Sequence, residues 1–93
     1  MDRHDLQGFF DQRRIDARHV PSNVLARARK IVERLERGES YLTFHGKRLS
    51  HNRWRVSIPL GRRWRILAED VDGQLQVRSV LSHQTYNASL KII

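Results

Sequence analysis

From Arg53 to Leu81 apolar residues recur at every second position through three consecutive segments, interrupted near Gly61 and at Asp72-Gly73. Trp54, Val56, Ile58 and Leu60 alternate with Arg53, Arg55 and Ser57. Trp64, Ile66 and Ala68 alternate with Arg63, Arg65, Leu67 and Glu69. Leu75, Val77, Ser79 and Leu81 alternate with Gln76, Arg78 and Val80. Successive side chains of a strand point to opposite faces, so a period of two sustained this long means a sheet with one oily face. The spacing predicts strands over 53–60, 62–70 and 74–82. A shorter one is expected over 41–45, where Leu42 and Phe44 alternate with Tyr41, Thr43 and His45. Asp72-Gly73 is a strong two-residue hairpin signal, and Pro59 fits at a strand end or an edge.

Opposed residues of an antiparallel pair share a face. A three-residue connection around Gly61 is expected to oppose Ile58 to Trp64, Val56 to Ile66 and Trp54 to Ala68. The Asp72-Gly73 turn then opposes Ala68 to Val77, Leu67 to Arg78, Arg65 to Val80 and Trp64 to Leu81. Trp54, Val56, Ile58, Trp64, Ile66, Val77 and Leu81 thus fall on one face, and the arginines fall on the other.

The cover for the oily face lies upstream. Val24, Ala28, Ile31 and Leu35 repeat at helical spacing, with Leu25 and Val32 widening the stripe. A helix is expected over 23–37, capped by Ser22 or Asn23 and ended at Gly38. Arg27, Arg29, Lys30, Arg34 and Arg37 decorate its other faces. Residues 5–14 read as a shorter helix capped by Asp5, with Leu6, Phe9 and Phe10 inward. The fold class is therefore α+β, with helix or helical hairpin on a twisted antiparallel meander of about four strands. At 93 residues one domain is expected, spanning 1–93.

Charge sets the class of partner. Eighteen cations face ten anions, and Lys47, Arg48, Arg53, Arg55, Arg62, Arg63 and Arg65 all fall between Glu39 and Glu69, where there is no acid. A single-sign block within a folded segment points to an anionic partner, either nucleic acid or an acidic protein segment. With no cysteine, disulfides and zinc-thiolate sites are excluded. The opening MDRHDLQGFF lacks a signal-peptide core and no run reaches membrane-spanning length, so a cytoplasmic location without membrane partners is expected. The Asn87-Ala88-Ser89 sequon is then idle. His45 and His51 have no obvious third ligand for a metal.

His83 stands apart, just past the last strand and three residues before Tyr86. A histidine and a tyrosine beside two guanidinium groups, Arg65 and Arg78, have the parts for metal-free RNA cleavage. A base removes the 2′-hydroxyl proton, arginine stabilises charge on phosphorus, and an acid protonates the leaving 5′-oxygen. Strand-end histidines and tyrosines also serve structure alone, and both readings stand at this point.

GKRL at Gly46–Leu49, WRVSIPLGRRWRILAED at Trp54–Asp70 and VLSHQTY at Val80–Tyr86 carry a resemblance to the RelE/ParE superfamily of toxins from bacterial toxin-antitoxin modules. The order and spacing of these short motifs, from about Asn23 to Tyr86, supply its weight. The resemblance implies a helical hairpin on a twisted antiparallel sheet, no metal or organic cofactor, and a cognate antitoxin as partner. It also implies an amino-terminal strand, which MDRHDLQGFFDQRR does not read as. Members of the RelE, YoeB and HigB branch cut messenger RNA on the ribosome, while ParE-like members poison DNA gyrase. In the nuclease branch Arg65 matches the arginine at the scissile phosphate, and His83 and Tyr86 match groups for acid/base work and base stacking. Lys47, Arg48 and Arg55 match backbone-binding residues, to which the cationic face adds Arg53, Arg63 and Arg78. The expectation is a ribosome-dependent endoribonuclease, with a gyrase poison or a non-catalytic basic binding module as alternatives.

Overall fold

Amphipathic spacing places Leu6, Phe9 and Phe10 on one side of the first helix, α1 (Arg3–Gln12), and Val24, Leu25, Ala28 and Val32 on one side of the second, α2 (Ser22–Glu36). These seven residues are buried and meet over a four-stranded antiparallel sheet. In the computed structural model, which describes residues 2–86, the strands are β1 (Lys47–Leu49), β2 (Asn52–Leu60), β3 (Trp64–Val71) and β4 (Gln74–Ser82), in the order β1-β2-β3-β4. Val56, Ile58, Leu60, Ile66, Ala68 and Val80 form the sheet's contribution to the core, with Trp64, Leu75 and Val77 packed half-buried at its margin.

The helix ends follow local chemistry. Asp2, rather than Asp5, caps α1, its carboxylate accepting the Asp5 backbone N–H at 3.0 Å. Neither Ser22 nor Asn23 caps α2. Pro21 precedes the helix and Ser22 is its first residue, the Ser22 hydroxyl instead accepting Arg3 at 3.3 Å. At the other end Gly38 takes φ +97°. The Gly38 and Glu39 N–H groups return to the Leu35 and Arg34 carbonyls at 3.0 and 3.1 Å, which closes the helix as a Schellman turn.

The strand expected over 41–45 is absent. Tyr41–Phe44 is a single 3-10 turn, because the Ser40 hydroxyl accepts the Leu42 N–H at 3.1 Å and competes with an extended chain. Leu42 is left 66% exposed. His45 leaves that turn in the left-handed region. A side chain at Gly46 would come within 2.8 Å of Ile58 Cγ1 and 2.9 Å of the Tyr41 carbonyl, so glycine is needed there for close approach. Lys47–Leu49 then supplies the edge strand.

The central hairpin pairs two residues further along than the sequence suggests. The connection is residues 61–63 in full, so Leu60 opposes Trp64, Ile58 opposes Ile66 and Val56 opposes Ala68. A shift of two preserves the faces. At β2's other end Trp54 is 59% exposed, so it is not a core residue as expected. Pro59 sits within β2, not at its end. β1 pairs only with residues 52–57, so Pro59 has a sheet neighbour on one side alone.

The Asp72-Gly73 turn forms as expected, both residues at positive φ and Val71 opposite Gln74. Ala68 opposes Val77, but the register then shifts. Leu67 pairs with Ser79, Ile66 with Val80, Arg65 with Leu81 and Trp64 with Ser82. Arg78 is the extra residue of a bulge. Val80, not Leu81, therefore enters the core, at 3% exposure. The edge of β4 is met by Asp16, whose N–H donates to the Arg78 carbonyl at 2.9 Å while its carbonyl accepts the Val80 N–H at 2.8 Å. The amino-terminal segment thus replaces the implied first strand with a helix and one bridge. Past β4, residues 83–86 are helical. The remainder of SHQTYNASLKII, with the 87–89 sequon, lies outside the described residues.

Two measurements check this architecture. Phe10 is fully buried, so Phe10→Ala should cost about 3–5 kcal/mol in urea denaturation. Trp54→Ala should stay within about 0.5 kcal/mol. The second concerns the strap from Arg48 to Asp70 at 2.7 Å. Arg48 holds the Asp70 carboxyl below its ordinary value, against partial desolvation and with help from the Gly73 N–H. A folded-state value below the unfolded one contributes stability at neutral pH that is lost as pH falls through the folded value. Asp70→Asn should lower the urea midpoint at pH 7, and its gap to wild type should narrow below about pH 4.

Candidate active site on the open sheet face

The face of the sheet away from the helices carries Lys47, Arg55, Ser57, Pro59, Arg65, Leu67, Glu69 and Leu81, as the observed pairings require. Arg65 is its centre. One terminal nitrogen donates to the Ser57 hydroxyl at 3.0 Å, and Nε donates to His83 Nδ1 at 3.2 Å. The guanidinium carbon lies 5.2 Å from the centre of the Tyr86 ring, within cation–π range. Arg65, His83 and Tyr86 are therefore in mutual contact, the two rings 6.4 Å apart and inclined at 25°.

Local structure explains the convergence. Ser82 closes the strand and starts the turn at 83–86, its hydroxyl accepting the Thr85 N–H at 3.1 Å and donating to the Thr85 hydroxyl at 2.9 Å. The His83 N–H donates to the Arg63 carbonyl at 2.6 Å, fixing where that turn leaves the sheet. Residues three apart on a helical turn share a side, which puts His83 and Tyr86 on the side where Arg65 waits. Because His83 Nδ1 accepts from a permanently charged group, the neutral ring carries its proton on Nε2. His83 is exposed, whereas Tyr86 is 6% exposed. In this arrangement the Tyr86 ring is a floor for Arg65, and stacking it on a nucleobase, as the resemblance implies, would require uncovering it.

Ser57 was not singled out from the sequence. It is the buried polar residue of the sheet, at 0% exposure, and it holds Arg65 through one hydrogen bond. The available signal was a small hydroxyl in the polar phase of a strand that otherwise places arginine there.

The other nominated cations divide. Arg48 faces the helix side, opposite Val56. Its donors go to Asp70 at 2.7 Å, the Arg53 carbonyl at 2.8 Å and the Tyr41 hydroxyl at 3.2 Å. Arg78 pairs with Glu69 at 2.7 Å. Lys47, Arg53 and Arg63 are exposed without a carboxylate partner among the described residues. Arg55 is half-buried opposite Glu69, its Nε enclosed and without a hydrogen-bond acceptor among them. His45 ends the 3-10 turn and His51 lies in the turn between β1 and β2. No group of three or more metal-ligating side chains gathers among the described residues, and no helix among them is long and apolar enough to cross a membrane.

Searches of curated proteins and of solved structures give no significant match. The model of one protein family, the ParE-like toxin domain, matches residues 22–88. That span begins at α2 and takes in the whole sheet together with Arg65, His83 and Tyr86. With helices on one side of a four-stranded antiparallel meander, the chain belongs to the ParE-like toxin domain family, within the RelE/ParE superfamily of toxins that act opposite a cognate antitoxin.

Proposed function

We propose that this toxin is a ribosome-dependent endoribonuclease that cleaves messenger RNA by metal-independent acid/base chemistry. The observation that carries the reading is the contact of Arg65 with His83 on the open sheet face. In this reading the scissile phosphate takes up the Arg65 guanidinium, which leaves Nδ1 of His83 free to accept a proton. The imidazole removes the 2′-hydroxyl proton, the 2′-oxygen attacks phosphorus and the bond to the 5′-oxygen breaks. The charged ring returns that proton to the leaving oxygen, giving a 2′,3′-cyclic phosphate and a 5′-hydroxyl. Arg65 remains cationic throughout and stabilises the charge that builds on the phosphoryl oxygens. Ser57 and Tyr86 keep it in place. Lys47, Arg53, Arg55 and Arg63 supply backbone contacts beside it, Arg78 joins them only by exchanging Glu69 for phosphate, and Arg48, on the helix side, stays with Asp70.

A second reading, poisoning of DNA gyrase, is favoured by the ParE-like description of the matched family. It needs the basic surface but not the histidine. Transcript ends mapped after induction in bacteria separate the two: cuts in translated messages support the nuclease, and double-strand DNA breaks support the gyrase poison.

With purified protein on programmed ribosomes, His83→Ala should lower turnover by about 10²–10⁴-fold while ribosome binding changes little. Arg65→Ala should lower turnover by a similar factor. His83→Ala cutting as fast as wild type would remove the histidine from the chemistry. Arg53→Ala and Arg63→Ala should each weaken ribosome binding and reduce its salt slope by about one unit or somewhat less. An unchanged slope in a binding series at several salt concentrations would take both residues out of the interface.

A further inference from the structure

Beyond the sheet end that carries His83 lies an open-sided cavity of about 620 Å³, walled by Pro21, Arg62, Arg63, Trp64, His83 and Gln84 among others. The volume falls in the roughly 300–1,000 Å³ range of small-molecule sites. Its chemistry is distinctive. Trp64 is half-buried, packed on the core at one side and lining the cavity at the other. Arg62 and Arg63 are exposed and pair with no carboxylate among the described residues. The Arg27 guanidinium lies against the same turn, 3.5 Å from where a β-carbon at Gly61 would stand. Three arginines thus meet at one tight turn, with no acid among the described residues of the cavity wall. The cavity at the far end of α2, by contrast, is lined by Glu36, Glu39 and Asp70. Like charges gathered without counter-charge repel one another and attract an anion.

We propose that this cavity binds a nucleotide next to the one whose phosphate is cleaved. The base stacks on Trp64, its edge meets the Gln84 amide, and the arginines of the turn hold its phosphate. A flat aromatic wall beside a cationic rim is the combination that sequence-tolerant single-strand sites use. The amide adds both a donor and an acceptor with which to prefer some bases over others. The proposal rests on the nuclease reading of His83 and adds a base subsite to it. His83 belongs to both, contributing to the cavity wall while its Nδ1 faces Arg65.

The experiment uses Trp54→Phe protein, in which Trp64 is the sole tryptophan. Trp54 is exposed, so the replacement should leave the fold intact. Adenosine, guanosine, cytidine and uridine monophosphates are titrated while fluorescence is followed, with inorganic phosphate as control. Expected are saturable quenching by at least one nucleotide and none by phosphate. Arg62→Ala should weaken binding about three- to tenfold, and Gln84→Ala should flatten the preference among bases. Both residues are exposed, so both variants should fold. Absent quenching, equal quenching by phosphate, or Arg62→Ala binding as tightly as its parent would overturn the proposal. The ribosome cleavage assay, run in parallel, reports separately. Nucleotide binding without cleavage leaves the cavity assigned and removes the nuclease reading, whereas cleavage without nucleotide binding removes the cavity alone.

Discussion

One extra residue in β4 decides what the open face of this sheet can do. Up to the pair of Ala68 with Val77 the last two strands run in the register the turn dictates. After the bulge at Arg78, Arg65 faces Leu81 instead of Val80. A one-residue slip reverses every side chain beyond it. In the unbulged register Leu81 would sit in the core, and a strand continued from it would carry His83 to the helix side, away from Arg65. The bulge sends Val80 inward, puts Leu81 on the open face and lets His83 reach the Arg65 guanidinium at 3.2 Å. Bulges near sheet ends commonly re-aim side chains in this way.

Three strands, the hairpin at Asp72-Gly73, both helices and their inward faces were legible because each is written in local periodicity. What the sequence hid was the outcome of competition. Thr43 and Phe44 alternate as a strand would, but the Ser40 hydroxyl offers the backbone a nearer acceptor and a 3-10 turn wins. Trp54 has the right phase for the core, yet the apolar cover ends before reaching it. Phase tells which face a residue occupies. It does not tell how far the opposing layer extends.

The candidate cluster was legible as residue types, since Arg65, His83 and Tyr86 could all be nominated, but the premise for joining them was a register the sheet does not adopt. Ser57, the fully buried residue that steadies Arg65, carried almost no signal. The charge block misled in a different way. An acid-free run from 40 to 68 suggests unopposed arginines, but Asp70, just beyond it in sequence and across the sheet in space, pairs with Arg48, while Glu69 takes Arg78 from outside the run. Within that run Lys47, Arg53, Arg55, Arg62, Arg63 and Arg65 have no carboxylate partner among the described residues. Ion pairing is a property of the folded neighbourhood, and composition alone reports only its sum.

The amino-terminal segment shows how a family fold tolerates the loss of an implied element. Residues 2–21 lie outside the matched domain, yet Leu6, Phe9, Phe10, Ile15, Ala17 and Val20 belong to the same buried cluster as the sheet. Ile15 and Ala17 turn inward while Asp16 and Arg18 turn out, a strand's alternation kept for four residues. Only Asp16 completes backbone pairing with β4. The flanking Arg13, Arg14, Arg18 and His19 suit a solvated loop better than a longer strand, and Arg14 and His19 adopt positive φ that ends it on either side. Two hydrogen bonds occupy the β4 edge at the bulge, where a strand's own partners are most easily lost. The helix then does the burial that a full strand would have shared, so the element missing from the sheet is replaced in the core.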